Sequence, residues 1–332
     1  MLNEEEYILD CLVSVKNFKN SYHSILTIYV VDGGSSDKTT EIVNEFVSDN
    51  KNFVLLHNEK RTQPAAMNLV INEFKGDFLM RLDAHCLYPE DYLDKCIETS
   101  LRTNAENSGG VLITLPGGNN LGAKNVQALT SHWFGVGNSG FRIGVEEGEV
   151  DTVPFGFFSK TAINRNKFFD EELIRGQDYE YNRRIINNGG KIWLNPNIRA
   201  KYYNQKYFFS FIKKLMLLDG PYNAYMWSKY PYTLSFRHLI TPLFFLGNVA
   251  GIILFLYSNF LWKIYLMVMI IYFVLAIKSS FDIFKTTKQL NQILVLPACF
   301  FLMHLFYGAG AVFGMIMLIT GLAPISITNK AN

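Results

Sequence analysis

The sequence predicts an α/β fold with a doubly wound, mostly parallel sheet, followed by transmembrane α-helices. Over the first 200 residues, short apolar runs rich in β-branched residues alternate with segments of helical periodicity, which is the pattern of successive β-α units. The turns after these runs are polar or rich in Gly and Ser. Beyond residue 238, three long apolar runs carry almost no charge, and runs of that length are hard to bury in a soluble domain.

The composition also separates the two parts of the chain. Apolar residues make up 49% of the 332 residues and charged residues only 18%, and the apolar excess lies after residue 238. The formal net charge of +2 gives no reason to expect a nucleic-acid partner. The four cysteines lack the spacing of a zinc site or of a disulfide framework, which suits a reducing, cytosolic setting for the globular part.

The globular part begins with a predicted helix over residues 4–15, whose apolar residues recur at helical spacing. A β-branched strand over 25–31 leads into the turn 32–37 and then into a helix over 38–47. The turn lies at the carboxyl end of a strand, where open α/β sheets bind ligands. Asp32 is predicted either to accept a hydrogen bond from a nucleobase or ribose or to cap its own turn. The turn matches neither the dinucleotide fingerprint nor a P-loop.

Two further strands extend the alternation. A strand over 53–57 precedes a helix over 64–74, and a strand over 78–82 ends at Asp83 and His85. Alternate side chains of a strand share a face, so these two are predicted to converge on one ion. A carboxylate and a neutral imidazole suit Mn²⁺, and Mg²⁺ less well, when substrate phosphates complete the coordination. The alternative is a solvated strand end.

A second acidic cluster opens a predicted helix near residue 178. Asp178 and Glu180 are two residues apart, which places them about 200° apart around a helix, so they cannot act as a pair. The alternative is that the acids stabilise the helix N-terminus. Arg183 and Arg184 are predicted to pair with these acids, to meet a diphosphate, or to remain surface charges.

Taken in order, five short segments resemble the motifs of family 2 glycosyltransferases of the GT-A fold. The segments are Asn3-Glu4-Glu5, residues 30–39 (VVDGGSSDKT), Asp83-Ala84-His85, residues 150–156 (VDTVPFG) and residues 176–180 (GQDYE). The chain resembles most the succinoglycan-type, membrane-bound bacterial polysaccharide glycosyltransferases. The resemblance extends over residues 1–235, and the ordered series of motifs is far more specific than any single one.

The resemblance implies roles on the donor side of the reaction. Asp32 matches the aspartate that binds the uracil of a nucleotide-sugar, and Arg61 lies where a basic residue approaches the donor nucleotide. Asp83 matches the aspartate of the family's Asp-x-Asp element that binds the metal and the diphosphate. His85 replaces the last residue of that element and would be the second metal ligand. The implied cofactor is Mn²⁺ or Mg²⁺.

On the acceptor side, Asp178 matches the general base, Glu180 is a second catalytic candidate and Arg184 a substrate-binding one. The implied activity is inverting transfer from a nucleotide diphosphate sugar, expected to be a UDP-sugar, to a polyprenyl-diphosphate-linked glycan in bacterial exopolysaccharide or cell-surface polysaccharide synthesis. Other polysaccharide-assembly proteins are left open as partners. The alternatives are a polyprenyl-phosphate glycosyltransferase and a catalytically inactive membrane scaffold.

The chain is expected to divide into three parts. Residues 1–200 form the cytosolic GT-A catalytic domain, which lacks the apolar strand that usually precedes the first motif in this family. Residues 201–238, aromatic and basic, form an amphipathic interfacial segment or a helix packed in a groove. Residues 239–327 hold three transmembrane helices, at about 239–257, 261–277 and 293–320. The Lys and Arg distribution predicts a multi-pass protein of the bacterial inner membrane with a cytoplasmic catalytic domain.

Overall fold

In the computed structural model, which describes residues 1–322, the chain forms two units. Unit 1 consists of Met1–Ile113 and Gly144–Tyr203. Unit 2 consists of Thr114–Ile143 and the described residues from Asn204 onward. Residues in the middle of the globular sequence therefore belong with the C-terminal helices, which the sequence pattern did not indicate.

In chain order, the strands are β1 (Ile28–Asp32), β2 (Phe53–His57), β3 (Phe78–Met80), β4 (Cys86–Leu87), β5 (Asn107–Leu115), β6 (Gly148–Glu149), β7 (Phe157–Ser159) and β8 (Ile192–Tyr203). The α-helices are α1 (Ile8–Lys16), α2 (Thr39–Ser48), α3 (Gln63–Glu73), α4 (Tyr92–Thr103), α5 (Leu121–Thr130), α6 (Trp133–Val136), α7 (Gly140–Ile143), α8 (Lys160–Asn166), α9 (Gln177–Asn187), α10 (Phe208–Lys214), α11 (Gly220–Lys229), α12 (Phe236–Tyr257), α13 (Asn259–Thr287) and α14 (Leu290–Ile319). A π-helical turn over Leu215–Asp219 joins α10 to α11, and a 3₁₀ turn over Pro231–Thr233 follows α11.

The strands of unit 1 form two sheets. β1 and β2 are parallel, with Asp32 opposite His57. A six-stranded sheet has the order β3-β7-β5-β8-β4, with β6 also paired to β8. Its β3–β7, β5–β7, β4–β8 and β6–β8 ladders are antiparallel. The α/β class is confirmed, and the sheet is mixed where the sequence predicted a mostly parallel one, because local alternation reveals strands but not which strands pair.

Met1 pairs with the edge of β1 that lies away from β2. The amino group of Met1 donates to the Val31 carbonyl at 2.7 Å, and the Gly33 amide donates to the Met1 carbonyl at 2.9 Å. These two bonds have the pattern of a parallel pair. Within residues 1–322, no ladder joins the β1–β2 pair to the six-stranded sheet.

The first helix shows how apolar spacing builds the core of unit 1. The buried residues of α1 are Ile8, Cys11, Leu12 and Val15. Their i, i+3, i+4, i+7 spacing puts them on one face of the helix. The predicted start at residue 4 is one turn early, because the Glu4 carbonyl accepts from the amides of Tyr7 and Ile8 in a turn that precedes the helix. This turn fixes the backbone position of Glu4.

Unit 2 is organised around α14. Its buried cluster combines Val126, Ala128 and Leu129 of α5, Phe211 and Ile212 of α10, Leu215, Ile283 of α13, and Leu296, Cys299, Phe300 and Met303 of α14. Glycines let other elements approach α14 closely. A Cβ at Gly308 would lie only 2.0 Å from the Thr241 carbonyl oxygen, and one at Gly310 only 2.5 Å from that of Met216. Substituting either glycine would therefore push neighbouring backbone away.

The aromatic and basic segment predicted for the membrane surface is partly buried within unit 2. Tyr222 and Met226 of α11 are each 1% exposed. A Cβ at Gly314 of α14 would lie 2.6 Å from the Cα of Pro221, so α11 packs directly on α14. Phe209 of α10 is instead 80% exposed. The geometry of α11 matches the groove-packing alternative, and placement of α10 at a membrane surface stays a prediction.

The last three helices are long and apolar enough to cross a membrane. α12, α13 and α14 have 22, 29 and 30 residues. At about 1.5 Å per residue, each exceeds the hydrocarbon core of about 30 Å. They extend beyond most of the predicted spans because polar residues, such as Asp282 and Lys285, continue the helix past the apolar run. Residues 323–327, the predicted end of this part, lie outside the described residues. The helices indicate membrane association.

Candidate active site

Asp32 ends β1 and holds the turn that follows. Its carboxylate accepts hydrogen bonds from the Gly34 amide at 3.0 Å and from the Ser35 hydroxyl at 2.6 Å. Burial alone would raise the pKa of Asp32, but the hydrogen bonds from Ser35 and Gly34 outweigh it and lower the pKa. The side chain is 3% exposed. The capping alternative is therefore the one observed, and recognition of a nucleobase by Asp32 stays a prediction.

Arg61 lies beside this turn. Its backbone adopts a left-handed conformation, with φ of 56°. The Arg61 amide donates a hydrogen bond to the Asn58 carbonyl, which closes the loop between these two residues. A Cβ built on Gly34 would lie 3.2 Å from the Arg61 Nε, so the guanidinium lies directly over the Asp32 turn. Within residues 1–322, Arg61 forms no ion pair and its side chain is exposed. It is therefore available to an anionic group.

Asp83 lies in the loop after β3, which ends at Met80 and so does not reach residue 82 as predicted. Its Oδ1 accepts from the Arg81 guanidinium at 2.9 Å and from the Gln63 amide at 3.3 Å. Its backbone amide donates to the Tyr88 hydroxyl at 2.8 Å. Burial would raise the pKa of Asp83, but the positive charge of Arg81 outweighs it and lowers the pKa, so the carboxylate is ionised at neutral pH.

His85 lies in a turn, so the strand argument that placed it on the same face as Asp83 does not apply. Its Nδ1 lies 2.9 Å from Glu4 Oε1, which orients the ring. Within residues 1–322, no group of three or more His, Cys, Asp or Glu side chains has a metal-binding arrangement. An ion held mainly by substrate phosphates needs only one or two protein ligands. Convergence of Asp83 and His85 on one ion stays a prediction.

Asp178 is positioned by the start of α9. Gly176 precedes this helix with φ of 75°, a left-handed conformation that side chains disfavour. The Asp178 Oδ1 accepts from the Tyr179 amide at 2.8 Å, while Oδ2 lies 3.6 Å from Arg81 Nη1. Its side chain is 42% exposed. Asp178 therefore faces Arg81 and remains accessible to an incoming hydroxyl.

Arg81 is the site residue that sequence reasoning missed. It is 7% exposed, and its guanidinium contacts Asp83 through Nη2 and Asp178 through Nη1. Burial would lower its pKa, but the two carboxylates outweigh burial and raise it, so the guanidinium stays charged. The only signal in the sequence was an arginine two residues before Asp83. Arg81 contacts both of the acids to which the family resemblance gives donor-side and acceptor-side roles.

A pair of glutamines forms a second connection between the same segments. Gln63 at the start of α3 donates to Asp83, and the Gln177 amide nitrogen donates to Gln63 Oε1. Gln177 is the first residue of α9 and directly precedes Asp178. The loop after β3 and the N-terminus of α9 are thus tied by neutral hydrogen bonds as well as by the arginine.

Glu180 and Arg184 form an ion pair with each other. Glu180 is fully buried and accepts from Arg184 Nε at 2.9 Å. Arg184 Nη1 also donates to the carbonyls of Asn166 and Phe168, both at 2.8 Å. These contacts suit a structural ion pair better than a base or a diphosphate ligand, both of which need an open face. The catalytic role of Glu180 and the substrate role of Arg184 stay predictions.

The Glu180→Ala variant is expected to be less stable by about 3 kcal/mol, because it removes a fully buried carboxylate that pairs with the mostly buried Arg184 guanidinium. The unfolding midpoint should fall by about 6 °C or more. All four cysteines are buried, so a thiol-reactive fluorophore reports unfolding of the full chain in detergent. The matched control is Lys95→Ala, which removes a more exposed i,i+4 pair and should cost less than about 1 kcal/mol. Equal midpoints for the two variants would contradict this assignment.

The family model for glycosyl transferase family 2 matches residues 1–168. The dolichyl N-acetyl-α-D-glucosaminyl phosphate 3-β-D-2,3-diacetamido-2,3-dideoxy-β-D-glucuronosyltransferase of Methanococcus voltae is 30% identical over 275 residues, which cover 77% of this chain and 81% of that protein. The chain belongs to glycosyl transferase family 2. It is a glycosyltransferase, as the resemblance predicted. The matched residues include Asp32, Arg61, Asp83 and His85 but end before Asp178.

Two further comparisons extend this family assignment. The succinoglycan biosynthesis protein ExoA of Rhizobium meliloti (strain 1021) is 28% identical to this glycosyltransferase over 178 residues, which cover 53% of this chain and 53% of that protein. Among solved structures, the mannosyltransferase PcManGT of Pyrobaculum calidifontis, in complex with GDP-Man and Mn²⁺, superposes with a TM-score of 0.50 at 16% identity, covering 69% of this chain and 61% of that one. The predicted GT-A fold is confirmed.

Proposed function

We propose that this chain is a metal-dependent, inverting glycosyltransferase that moves a sugar from a nucleotide diphosphate sugar, a UDP-sugar in the first instance, to a polyprenyl-diphosphate-linked glycan at the membrane. The observation that carries the proposal is the contact of one buried guanidinium with both Asp83 and Asp178. A glycosyltransferase needs a charged group at the departing diphosphate and a base at the attacking hydroxyl. The arginine holds one candidate for each role in a single site.

On the donor side, the contacts of Asp83 suit a divalent cation. Both side-chain hydrogen bonds, from Arg81 and Gln63, fall on Oδ1. Within residues 1–322, Oδ2 has no hydrogen-bond partner, so it offers an ionised ligand atom. When bound, Mn²⁺ or Mg²⁺ would neutralise charge on the departing diphosphate. Asp83 would hold the ion, and His85, oriented through Nδ1 by Glu4, is the second candidate ligand.

On the acceptor side, Asp178 would take the proton of the attacking hydroxyl. Its carboxylate is accessible, and Tyr179 and Arg81 restrain its two oxygens. A positioned base of this kind contributes about 100-fold to 10,000-fold to a rate. Because the hydroxyl attacks opposite the leaving diphosphate, the anomeric centre inverts. Glu180 and Arg184 then support α9 instead of touching substrate.

The acceptor class is argued from the membrane part and from the relatives. The name of one relative refers to a dolichyl phosphate-linked sugar, which supports an acceptor carried on a polyprenyl lipid. The name of a second refers to succinoglycan, which supports a role in polysaccharide synthesis. Helices long enough to span a membrane would keep unit 1 where such lipids present their head groups. The proposed location is the bacterial inner membrane with unit 1 on the cytoplasmic side. Other polysaccharide-assembly proteins could join it there.

The test uses membranes that contain the full chain. UDP-sugars and GDP-sugars are supplied in turn with Mn²⁺, Mg²⁺ or EDTA, together with a polyprenyl-diphosphate-linked glycan, a polyprenyl-phosphate-linked sugar or polyprenyl phosphate alone. We expect transfer from a UDP-sugar to the diphosphate-linked glycan, abolished by EDTA and restored by Mn²⁺. Transfer to another lipid would overturn the proposed acceptor. Transfer that survives EDTA would overturn the metal requirement. Absence of transfer under every condition, with folded protein, would support the alternative of a catalytically inactive membrane scaffold.

The Arg61→Gln variant is expected to raise the KM for the nucleotide-sugar about tenfold, with kcat within about twofold, because one charge-assisted hydrogen bond contributes about 1.5 kcal/mol. Steady-state kinetics with varied donor measure both constants. The matched control is Lys60→Gln, whose amine pairs with Glu171 at 2.6 Å and is therefore engaged elsewhere. If both variants raise KM equally, the effect comes from general surface charge and not from a contact of Arg61.

A further inference from the structure

Arg81 is only partly satisfied by its neighbours. Its side chain is 7% exposed, so water does little to compensate its charge. Nη2 makes a hydrogen bond of 2.9 Å to Asp83, whereas Nη1 lies 3.6 Å from Asp178, beyond ordinary hydrogen-bond range. Within the described chain, its buried Nε has no hydrogen-bond partner. The guanidinium therefore has capacity to interact more strongly with Asp178.

The two carboxylates share one positive charge but are held very differently. Asp83 is 17% exposed and is also anchored by Gln63, whereas Asp178 is 42% exposed and its Oδ2 lies beyond hydrogen-bond range of Arg81. A cation on Asp83 would neutralise part of the negative charge that Arg81 now faces. Asp83 would then hold the guanidinium less strongly, so Arg81 could move closer to Asp178 than the present 3.6 Å, and the attraction between these two would grow as their separation falls. By linkage, Asp178 must favour cation binding to the same degree.

We propose that Arg81 is a positioning residue that couples cation binding at Asp83 to the placement of the base Asp178. The proposal rests on the proposed function, which supplies the roles of the two aspartates. As a consequence, Asp178 reaches its working position only when the cation is bound at Asp83. This would limit unproductive reaction in a site that holds only one of its ligands. The planar guanidinium is required because its two amino groups reach two carboxylates at once, whereas a lysine amine is a single point charge.

The test is a double-mutant cycle on Mn²⁺ affinity, which needs no turnover. Free Mn²⁺ is measured by electron paramagnetic resonance for the full chain in detergent, with UDP in one series and GDP in another. The proteins are the unmodified chain, Asp178→Asn, Arg81→Lys, the double variant and Asp83→Asn. We expect Asp178→Asn to weaken Mn²⁺ binding about fivefold when Arg81 is present and less than about twofold in the Arg81→Lys background. Arg165→Lys, which alters the pair with Glu106, is the matched control and should preserve the fivefold effect.

Each outcome has a distinct meaning. An equal effect of Asp178→Asn in both backgrounds would show direct attraction of Mn²⁺ by Asp178 and would overturn the role of Arg81 while leaving the proposed function intact. Loss of Mn²⁺ binding only in Asp83→Asn, with no effect of Asp178→Asn, would support the metal site and would overturn the coupling through Arg81. Absence of Asp83-dependent Mn²⁺ binding with either nucleotide would overturn the proposed metal requirement and this inference together. The thiol-labelling midpoint identifies any variant that fails to fold, and for such a variant Arg81→Gln replaces Arg81→Lys.

Discussion

The Asp83→Asn variant is expected to lose about 1,000-fold in kcat/KM, because a metal-bound leaving group supplies several kcal/mol of charge stabilisation that a neutral amide cannot anchor. The substitution keeps the shape of the side chain and an oxygen acceptor while it removes the negative charge. Asparagine has nearly the same size, and its carbonyl oxygen can still accept from Arg81 and Gln63, the two donors to Oδ1. The loss should therefore come from charge at Oδ2. It is measured as UDP release and sugar transfer with membranes that contain the full chain, across a range of Mn²⁺ concentrations.

Asp77→Asn is the matched control for this prediction. Asp77 immediately precedes β3, on the same segment as Asp83, but its side chain is exposed. Its activity should stay within about twofold of the unmodified chain, as expected for a surface substitution. The thiol-labelling midpoint of Asp83→Asn should also show that the variant is folded. Activity of folded Asp83→Asn within tenfold of the unmodified chain would mean that this carboxylate does not hold the leaving group.

Local sequence patterns were sufficient for the elements that surround the donor side. β1 was predicted from a β-branched run, and its Gly/Ser turn marked the carboxyl end of the strand, where Asp32 now caps the turn. α3 was predicted over residues 64–74 and spans Gln63–Glu73. The three long apolar helices followed from charge-free runs alone. These features depend on residues close together in the chain, so periodicity and turn chemistry are sufficient to predict them.

The contacts that assemble the site join residues far apart in the chain, and local sequence patterns do not predict such contacts. The strand before Asp83 ends at Met80 because pairing with β7 stops there, and β7 lies nearly 80 residues later. His85 therefore lies in the turn after the strand, where it contacts Glu4, a residue that the sequence predicted to lie in a helix. Arg81 looked like an ordinary polar residue in a strand, and only the packing of α9 reveals that it meets Asp178.

The Asp178→Asn variant is expected to reduce sugar transfer between about 100-fold and 10,000-fold, the range for loss of a positioned general base. The fall should appear in kcat, because the base acts on the acceptor hydroxyl and not on donor binding. UDP binding should stay within about tenfold, since the only donor-side effect expected is the modest one transmitted through Arg81. Initial rates at saturating donor and acceptor, with nucleotide binding measured separately, distinguish these quantities.

A helix-terminal acid offers the competing explanation for Asp178, and α1 provides the control for it. Asp10 lies in the first turn of α1 as Asp178 does in that of α9, and it is exposed. Favourable interaction with a helix N-terminus contributes less than about 1 kcal/mol at such a site. Asp10→Asn should therefore leave transfer almost unchanged. If both variants lose the same small amount of activity and stability, Asp178 only stabilises α9. If Asp178→Asn alone loses transfer while keeping nucleotide binding and its unfolding midpoint, its carboxylate acts on the acceptor.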